Sequence, residues 1–387
     1  MTASWTARTG LAFVLLFGAV NLFADFAYEG ARSVSGPFLA LLGASGLVAG
    51  MVGGLGELLG YTLRLFSGRW ADRSGRYWLI TILGYVVQMS VVPLLALAGS
   101  WQAAAAMMVT ERIGKAVRNP PRDVMLSEAG EIMGRGWAFG VNEALDQLGA
   151  FAGPLVVAAV LAFRHDYRLA FAWLAVPAAM VLLLVLTARF VFPYASDIRH
   201  DAGAAGSEGY PRIFWWYTAG SALVAFGFAD YALIAFHFAK SHVLPADVIP
   251  IAYAFGMLAG GAGSLLFGKL YDHMGLKILL PLTLLGALFA PLAFLGGYGA
   301  AVAGVLLWGL SFGVHGSVMP AAVAAMIPAH RRGSAYGMFN SIFGVAWFAG
   351  STLEGWLYDR SVIALVIVAV AAQLLALGPL LLATRKV

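Results

Sequence analysis

Apolar runs of roughly 20 residues recur along the whole chain, each closed by a short polar turn. A helix needs about 20 residues, at 1.5 Å rise, to cross the hydrocarbon core of a bilayer. Twelve such runs are present, at about residues 10–30, 38–66, 78–98 and 101–117, a fifth opening at Trp137, then 167–190, 214–238, 249–267, 278–295, 300–327, 334–357 and 361–384. They are continuous rather than alternating apolar and polar, which argues against a β-barrel. The Pro120-Pro121 pair is expected to stop the fourth helix near the membrane surface. Residues 193–211 form the one long hydrophilic stretch and read as a flexible cytoplasmic linker. The expectation is an all-α integral membrane protein, with six-helix halves at 1–192 and 212–387 joined by the linker at 193–211.

Composition agrees. Of 387 residues, 61% are hydrophobic and 11% charged, and the mean hydropathy is +0.83. A soluble chain of this length could not hide that much apolar surface. There is no cysteine, hence no disulfide and no thiolate metal site. The net charge of +5 is topological rather than a nucleic-acid footprint. Sorted by loop, 19 Lys and Arg fall on the side of the N-terminus and 5 on the other, which places both termini in the cytoplasm of a cell's inner membrane. The first run carries acids and continues past the length of a signal core, so no cleavable signal peptide is expected.

The chain repeats itself. Residues 67–76 read Ser-Gly-Arg-Trp-Ala-Asp-Arg-Ser-Gly-Arg, a strongly basic turn between two apolar runs. Residues 267–276 carry a second copy, with Gly68, Asp72 and Gly75 aligned on Gly268, Asp272 and Gly275. Ala24-Asp25-Phe26-Ala27 parallels Ala229-Asp230-Tyr231-Ala232, residues 135–140 parallel 332–337, and Ala152-Gly153 falls on Ala349-Gly350. The Gly-x-x-x-Asp-x-x-Gly-Arg pattern resembles the loop between the second and third helices in each half of the major facilitator superfamily. That resemblance covers nearly the whole chain. It implies twelve transmembrane helices in two pseudo-symmetric halves related by an axis along the membrane normal.

Charge inside a bilayer is expensive, so intramembrane acids are candidate sites. Asp25 and Glu57 lie near the midplane and are candidate proton acceptors, with Glu143 and Asp146 near the cytoplasmic mouth. Each has a structural alternative. Glu29 can pair with Arg32 at a helix end, Glu57 with Arg112, and Glu111 with Lys115 as an i, i+4 pair. Glu354 is expected at the outer interface. The resemblance adds roles: Arg112, followed by Ile-Gly-Lys, looks like the span-4 arginine taken to tune a neighbouring proton site. Arg73, Arg76, Arg118, Arg122 and Asp123, with the two loops, would form a cytoplasmic gate. Arg76–Asp123 would be one pair, and Asp72 would face Gly333 and Ser334. Gly149-x-x-x-Gly153-Pro154 resembles the span-5 motif of drug/proton antiporters, although the antiporter Gly-Gly continuation is replaced by residues 155–158. As bare packing, the same glycines let helices approach closely.

Substrate-cavity candidates are Asn21, Tyr28, Tyr61, Asp230, His315, Asn340 and Trp347. No phosphate-cradling Gly-Lys-Ser/Thr loop and no Gly-x-Ser-x-Gly elbow occurs, so neither ATP drive nor a hydrolase is expected. The reading is a secondary transporter, not an enzyme, needing no cofactor and working as a monomer by alternating access. It would export a small molecule in exchange for protons, with the substrate site at the midplane between halves. Uptake or facilitated transport of a charged metabolite held by Arg112 is one alternative. Divalent-metal export through Asp25, Asp230 and His237 is another, and a transporter-like membrane receptor is a third.

Overall fold

The computed structural model describes residues 6–131, 135–196, 209–328 and 332–384. Among them the chain forms α1 (Ala7–Ser33), α2 (Ser35–Leu41), α3 (Gly46–Ser74), α4 (Tyr77–Leu94), α5 (Trp101–Gly130), α6 (Arg135–Arg164), α7 (Tyr167–Trp173), α8 (Ala175–Val191), α9 (Arg212–Phe226), α10 (Tyr231–Ser241), α11 (Val248–Met274), α12 (Leu279–Ala287), α13 (Phe289–Leu295), α14 (Tyr298–Met326), α15 (Arg332–Tyr358) and α16 (Val362–Thr384). No strand occurs among the described residues. The pairs α1/α2, α7/α8, α9/α10 and α12/α13 are each one path through the bilayer with an internal break, which gives the twelve-span fold read from the sequence. Most of the linker, 197–208, lies outside the described residues.

Three boundaries differ from expectation. The second apolar run does not begin at Phe38: that residue is in α2, which continues α1, and the turn comes at Gly43, whose φ of +80° glycine tolerates. Residues 67–74 are not a turn but the last turns of α3; only Gly75 leaves the helix, at φ +64°. Its repeat partner Gly275 does the same after α11, at φ +58°.

The third difference shapes the site. α5 runs straight through Pro120 and Pro121 to Gly130. A proline removes the donor that would meet the carbonyl four residues earlier, here Ala116 and Val117. Ser67 Oγ, from α3, donates to the Ala116 carbonyl at 3.0 Å and restores one of the lost bonds. With that bond replaced from outside, the helix has no reason to end.

The chain packs as two compact units, Met1–Arg32 with Leu59–Ala202, and Ser33–Leu58 with Gly203–Val387. In the first, Phe13, Phe17, Trp78 and Phe192 form an aromatic core, with Phe13–Phe17 centroids 4.6 Å apart. Trp78 Nε1 donates to the Phe192 carbonyl at 3.2 Å, joining α4 to the end of α8. In the second, Phe228 and Trp308 stack with centroids 5.9 Å apart, and Tyr231, Tyr253 and Trp347 gather around them.

Candidate functional site

The first unit is organised around α5, whose charges Glu111, Arg112, Lys115, Arg118, Arg122 and Asp123 keep it from reading as a simple apolar span. α4 and α5 meet closely because Gly84 and Gly114 carry no side chain; a Cβ on either would press into the facing backbone at about the Arg118 and Gln88 nitrogens. That contact places Gln88 and Tyr85 of α4 beside Arg118, which is 1% exposed. Arg118 donates from Nε to Gln88 Oε1 at 2.6 Å and from Nη1 to the Tyr85 hydroxyl at 2.9 Å, and its guanidinium lies 4.3 Å from the Tyr85 ring centre. Gln88 Nε2 in turn donates to Glu111 at 2.6 Å. The gate expected of Arg118 is therefore not where its side chain goes. It is the buried centre of a network.

Asp25 of α1 faces this network. Its Oδ1 lies 3.7 Å from Lys115 Nζ and 4.0 Å from Arg118 Nη2. Both are ion pairs longer than a hydrogen bond. The Asp25 side chain keeps 14% exposure and Lys115 20%, so the pair is not sealed. Lys115 Nζ also sits 3.8 Å from the Tyr28 ring centre, with the Arg112 guanidinium 4.8 Å from the same ring. Lys115 thus serves Asp25 and also acts electrostatically on Glu111, its partner by helical spacing, while Arg112 Nε lies 3.8 Å from Glu111. Glu29 and Arg32 are both buried, and Arg32 donates to the Tyr28 hydroxyl at 3.4 Å.

A second branch runs through Asn21. The Tyr85 hydroxyl, having accepted from Arg118, donates to Asn21 Oδ1 at 3.0 Å, where Arg122 Nη1 also donates at 2.9 Å. Asn21 Nδ2 donates to Asn142 of α6 at 2.9 Å. Asp123 is held by Arg122, Nη2 to Oδ1 at 2.6 Å, rather than by Arg76. Asp146 interacts electrostatically with Asp25, Arg122 and Lys115, and its buried Oδ1 has no hydrogen-bond partner among the described residues. Glu143 is exposed and accepts from Gln147 at 3.0 Å.

Gly149 and Gly153 explain how α6 reaches this place. A Cβ at Gly149 would strike the Leu22 carbonyl, and one at Gly153 the Phe26 carbonyl, on either side of Asp25 along α1. The motif with Pro154 is thus the seat of the helix carrying the acid. Gly350 of α15 repeats the device against the Phe226 carbonyl at the end of α9.

In the second unit the acid of the repeat is used differently. The helix breaks after Phe226, and Asp230 restarts it as N-cap of α10, accepting from the Ala232 amide at 2.9 Å. Carbonyls freed by the break find side chains: Gln373 Nε2 donates to Val224 at 3.1 Å and more weakly to Gly227 at 3.4 Å, and Trp308 Nε1 to Ala229 at 3.0 Å. His237 Nδ1 lies 3.2 Å from the Tyr358 hydroxyl. Trp347 is fully buried among Phe228, Phe312 and Phe343, so it is core rather than cavity lining. Glu57, one turn beyond the Gly53 that fits against Asp230, belongs to this unit, as residue 33–58 packing dictates. Tyr61 and Asn340 are half-buried on α3 and α15. The side chains of His315 and Asp272 and the surroundings of Gly333 lie outside the described residues. Among the described residues no group of three or more His, Cys, Asp or Glu is arranged to hold a metal ion.

Of the remaining gate positions, Asp72, Arg73 and Arg76 are exposed, and Asp72 accepts from the Tyr77 hydroxyl at 3.0 Å. Gly68 lies against Pro120, where a Cβ would stand 3.5 Å from the ring; Gly268 has open space. Tyr85, Gln88 and Asn142 are members of the network that sequence reading missed, and Lys115 enters there only as the i, i+4 partner of Glu111. For Lys115 a signal existed: it stands on the α5 face with Arg112 and Arg118, three residues from each.

The family model of the Major Facilitator Superfamily matches residues 17–351. An uncharacterized protein of Mycobacterium tuberculosis (strain ATCC 25618 / H37Rv) is 43% identical over 372 residues, covering 94% of this chain and 91% of its own. An uncharacterized MFS-type transporter of Methanocaldococcus jannaschii is 25% identical over 355 residues, 90% of this chain and 89% of its own. Among solved structures, the nucleoside transporter NupG aligns with a TM-score of 0.72 at 14% identity, over 96% of this chain and 98% of its own. A bacterial homolog of the human lysosomal transporter Spinster aligns with a TM-score of 0.71 at 15% identity, over 97% of both. At those identities the structures speak to fold alone.

Proposed function

Since the chain belongs to the major facilitator superfamily and so is a multi-pass membrane transporter of a small molecule, we propose that it is a proton-coupled exporter in which Asp25 exchanges the proton. The observation that carries this reading is the loose hold on Asp25: ion pairs of 3.7 and 4.0 Å to Lys115 and Arg118, with the unpartnered Oδ1 of Asp146 in its field. A unit-charge pair at about 4 Å is worth about 4 kcal/mol at an effective dielectric near 20, before desolvation is subtracted. About a third of that shifts a two-state equilibrium tenfold. Protonating Asp25 removes the charge that Lys115 and Arg118 pair with. Deprotonation restores the pair. One proton taken up on one side of the membrane and released on the other thereby switches an electrostatic tie between α1 and α5 off and on.

Export rests on the Gly149-x-x-x-Gly153-Pro154 motif, which resembles that of drug/proton antiporters and here seats α6 on the backbone around Asp25. The protein sits in the cell membrane with both termini cytoplasmic, on the charge bias of its loops. The test is internal pH in proteoliposomes, read with a trapped dye while lipophilic cations, organic anions and divalent metals are added outside in turn. Proton movement triggered by one class in the wild type, and absent in Asp25→Asn, is the expected result. Genuine uptake of a labelled compound with no proton response retires the reading.

A second reading has its own observation: Arg112 and Lys115 lie 4.8 and 3.8 Å from the Tyr28 ring centre, a cationic pair suited to a substrate carboxylate. It requires that Arg112→Gln abolish binding itself, whereas the proton reading requires only that coupling be lost.

A further inference from the structure

Glu354 was expected at the outer interface, one turn before α15 ends. It is instead 0% exposed, and neither carboxyl oxygen has a hydrogen-bond partner among the described residues. Among the described residues no cation pairs with it either. On α15 it stands four residues from Gly350, which packs on the Phe226 carbonyl, and four from Tyr358, which packs on Phe236 and His237. It therefore shares the helix face turned to the α9/α10 break. The neighbouring face of α15 is closed by α3: Gly50 and Gly54 fit against Ser351, and Gly46 against Tyr358. Asp359 locks that seam, its two oxygens accepting from the Gly46 and Leu47 amides at 2.7 and 2.9 Å.

Among the described residues the titratable groups on the packed elements give Glu354 no counter-charge; α9, packed on α15, brings Arg212 at its first residue and Tyr217, neither in an ion pair with it. α3 brings Glu57, α10 brings Asp230, His237 and Lys240, and α15 and its following turn bring Tyr358, Asp359 and Arg360. Asp230 is the N-cap of α10, His237 is engaged with Tyr358, and Asp359 caps α3. Lys240 and Arg360 are exposed and lie over Phe236 and Trp356. An ionised carboxylate without cation or donor is far more costly to bury than the neutral acid.

We infer that Glu354 is a second proton-binding carboxyl, belonging to the C-terminal unit, loaded while α15 is closed on α3 and α10 and discharged when that seam opens. With the seam closed the group is the neutral acid. Parting of α3 from α15, which breaks the Asp359 cap, admits water; the carboxyl then gives its proton to that water and is left as carboxylate with hydronium. The inference deepens the proton-coupled reading by adding a site remote from Asp25 in sequence, so that one transport cycle has two carboxyls to load.

The test is infrared difference spectroscopy on the full-length protein in detergent, from about pH 6 to about pH 8, with no substrate added. The wild type is expected to show the carbonyl stretch of a protonated carboxyl that Glu354→Gln lacks and Asp25→Asn retains. Its absence from the wild type, or its survival in Glu354→Gln, overturns the inference. So does its loss when sodium replaces choline at constant pH, which would make sodium the ligand. Should Glu354→Gln fail to fold, Glu354→Asp keeps a carboxyl in a changed position; a shifted band supports the site and an unmoved one overturns it. Whether Asp25→Asn spares coupled transport is a separate result and leaves this band untouched.

Discussion

Two copies of one short motif, Ala-Asp-aromatic-Ala, have been put to different work in the two halves of the chain. At Asp25 the helix runs on unbroken through α1, and the acid reaches across to Lys115 and Arg118 of α5. At Asp230 the helix has come apart, and the acid is spent on its own backbone, capping α10 through the Ala232 amide. The surroundings differ to match. α5 supplies four cations to the first site, whereas the second is walled by Phe228, Tyr231, Tyr253 and Trp308. Sequence duplication therefore preserved the position of a carboxylate without preserving its use. At the first copy of the motif the acid meets charge; at the second it meets a broken helix.

The comparison can be broken most forcefully at Arg118. Removing one partner of a buried, hydrogen-bonded charge costs about 3–5 kcal/mol, so Arg118→Met should lower the melting temperature sharply and abolish transport; an unchanged melt would show that the network does not hold the N-terminal unit together. Next come the glycines that seat each half. Gly153→Ala and Gly350→Ala each force a methyl onto a backbone carbonyl, and overpacking of this kind costs about 1–3 kcal/mol. Both should destabilise the detergent-solubilised protein alike, while only Gly153→Ala, beside Asp25, should alter proton coupling. Gln373→Leu leaves the Val224 and Gly227 carbonyls of the break without their donor, an expected loss of about 1–3 kcal/mol read as a lower melting temperature. The smallest effect belongs to Asp230→Asn. Asparagine caps a helix about as well as aspartate, so stability and proton movement should both stay close to wild type.

Much of the fold was legible because bilayer helices announce themselves by length and because the chain says the same thing twice. Gly75 and Gly275 align in sequence and do the same thing in space, each leaving a helix at positive φ. Ends were harder. Pro120-Pro121 reads as a stop by its chemistry, but Ser67 on another helix replaces the bond lost at Ala116, and no local pattern encodes a donor 49 residues away. Partner choice was harder still. Spacing along α5 pairs Glu111 with Lys115, while the tertiary position of Asp25 adds an ion pair that spacing does not encode. The family resemblance assigns Arg118 to a gate; what it does not carry is that Gly84 and Gly114 draw α4 close enough for Gln88 and Tyr85 to receive it. Glu354 misled for a related reason: nearness to a helix end reads as exposure, and burial depends on what covers that end.

Proton release measured on unbuffered, detergent-solubilised protein tests the central claim most directly, using a compound that the proteoliposome panel has identified. Asp25 is predicted to give up its proton when the compound binds, so wild type and Asp230→Asn should acidify the solution alike and Asp25→Asn should acidify it less. Equal acidification by Asp25→Asn and wild type would contradict the account, as would loss of the signal in Asp230→Asn with Asp25 intact.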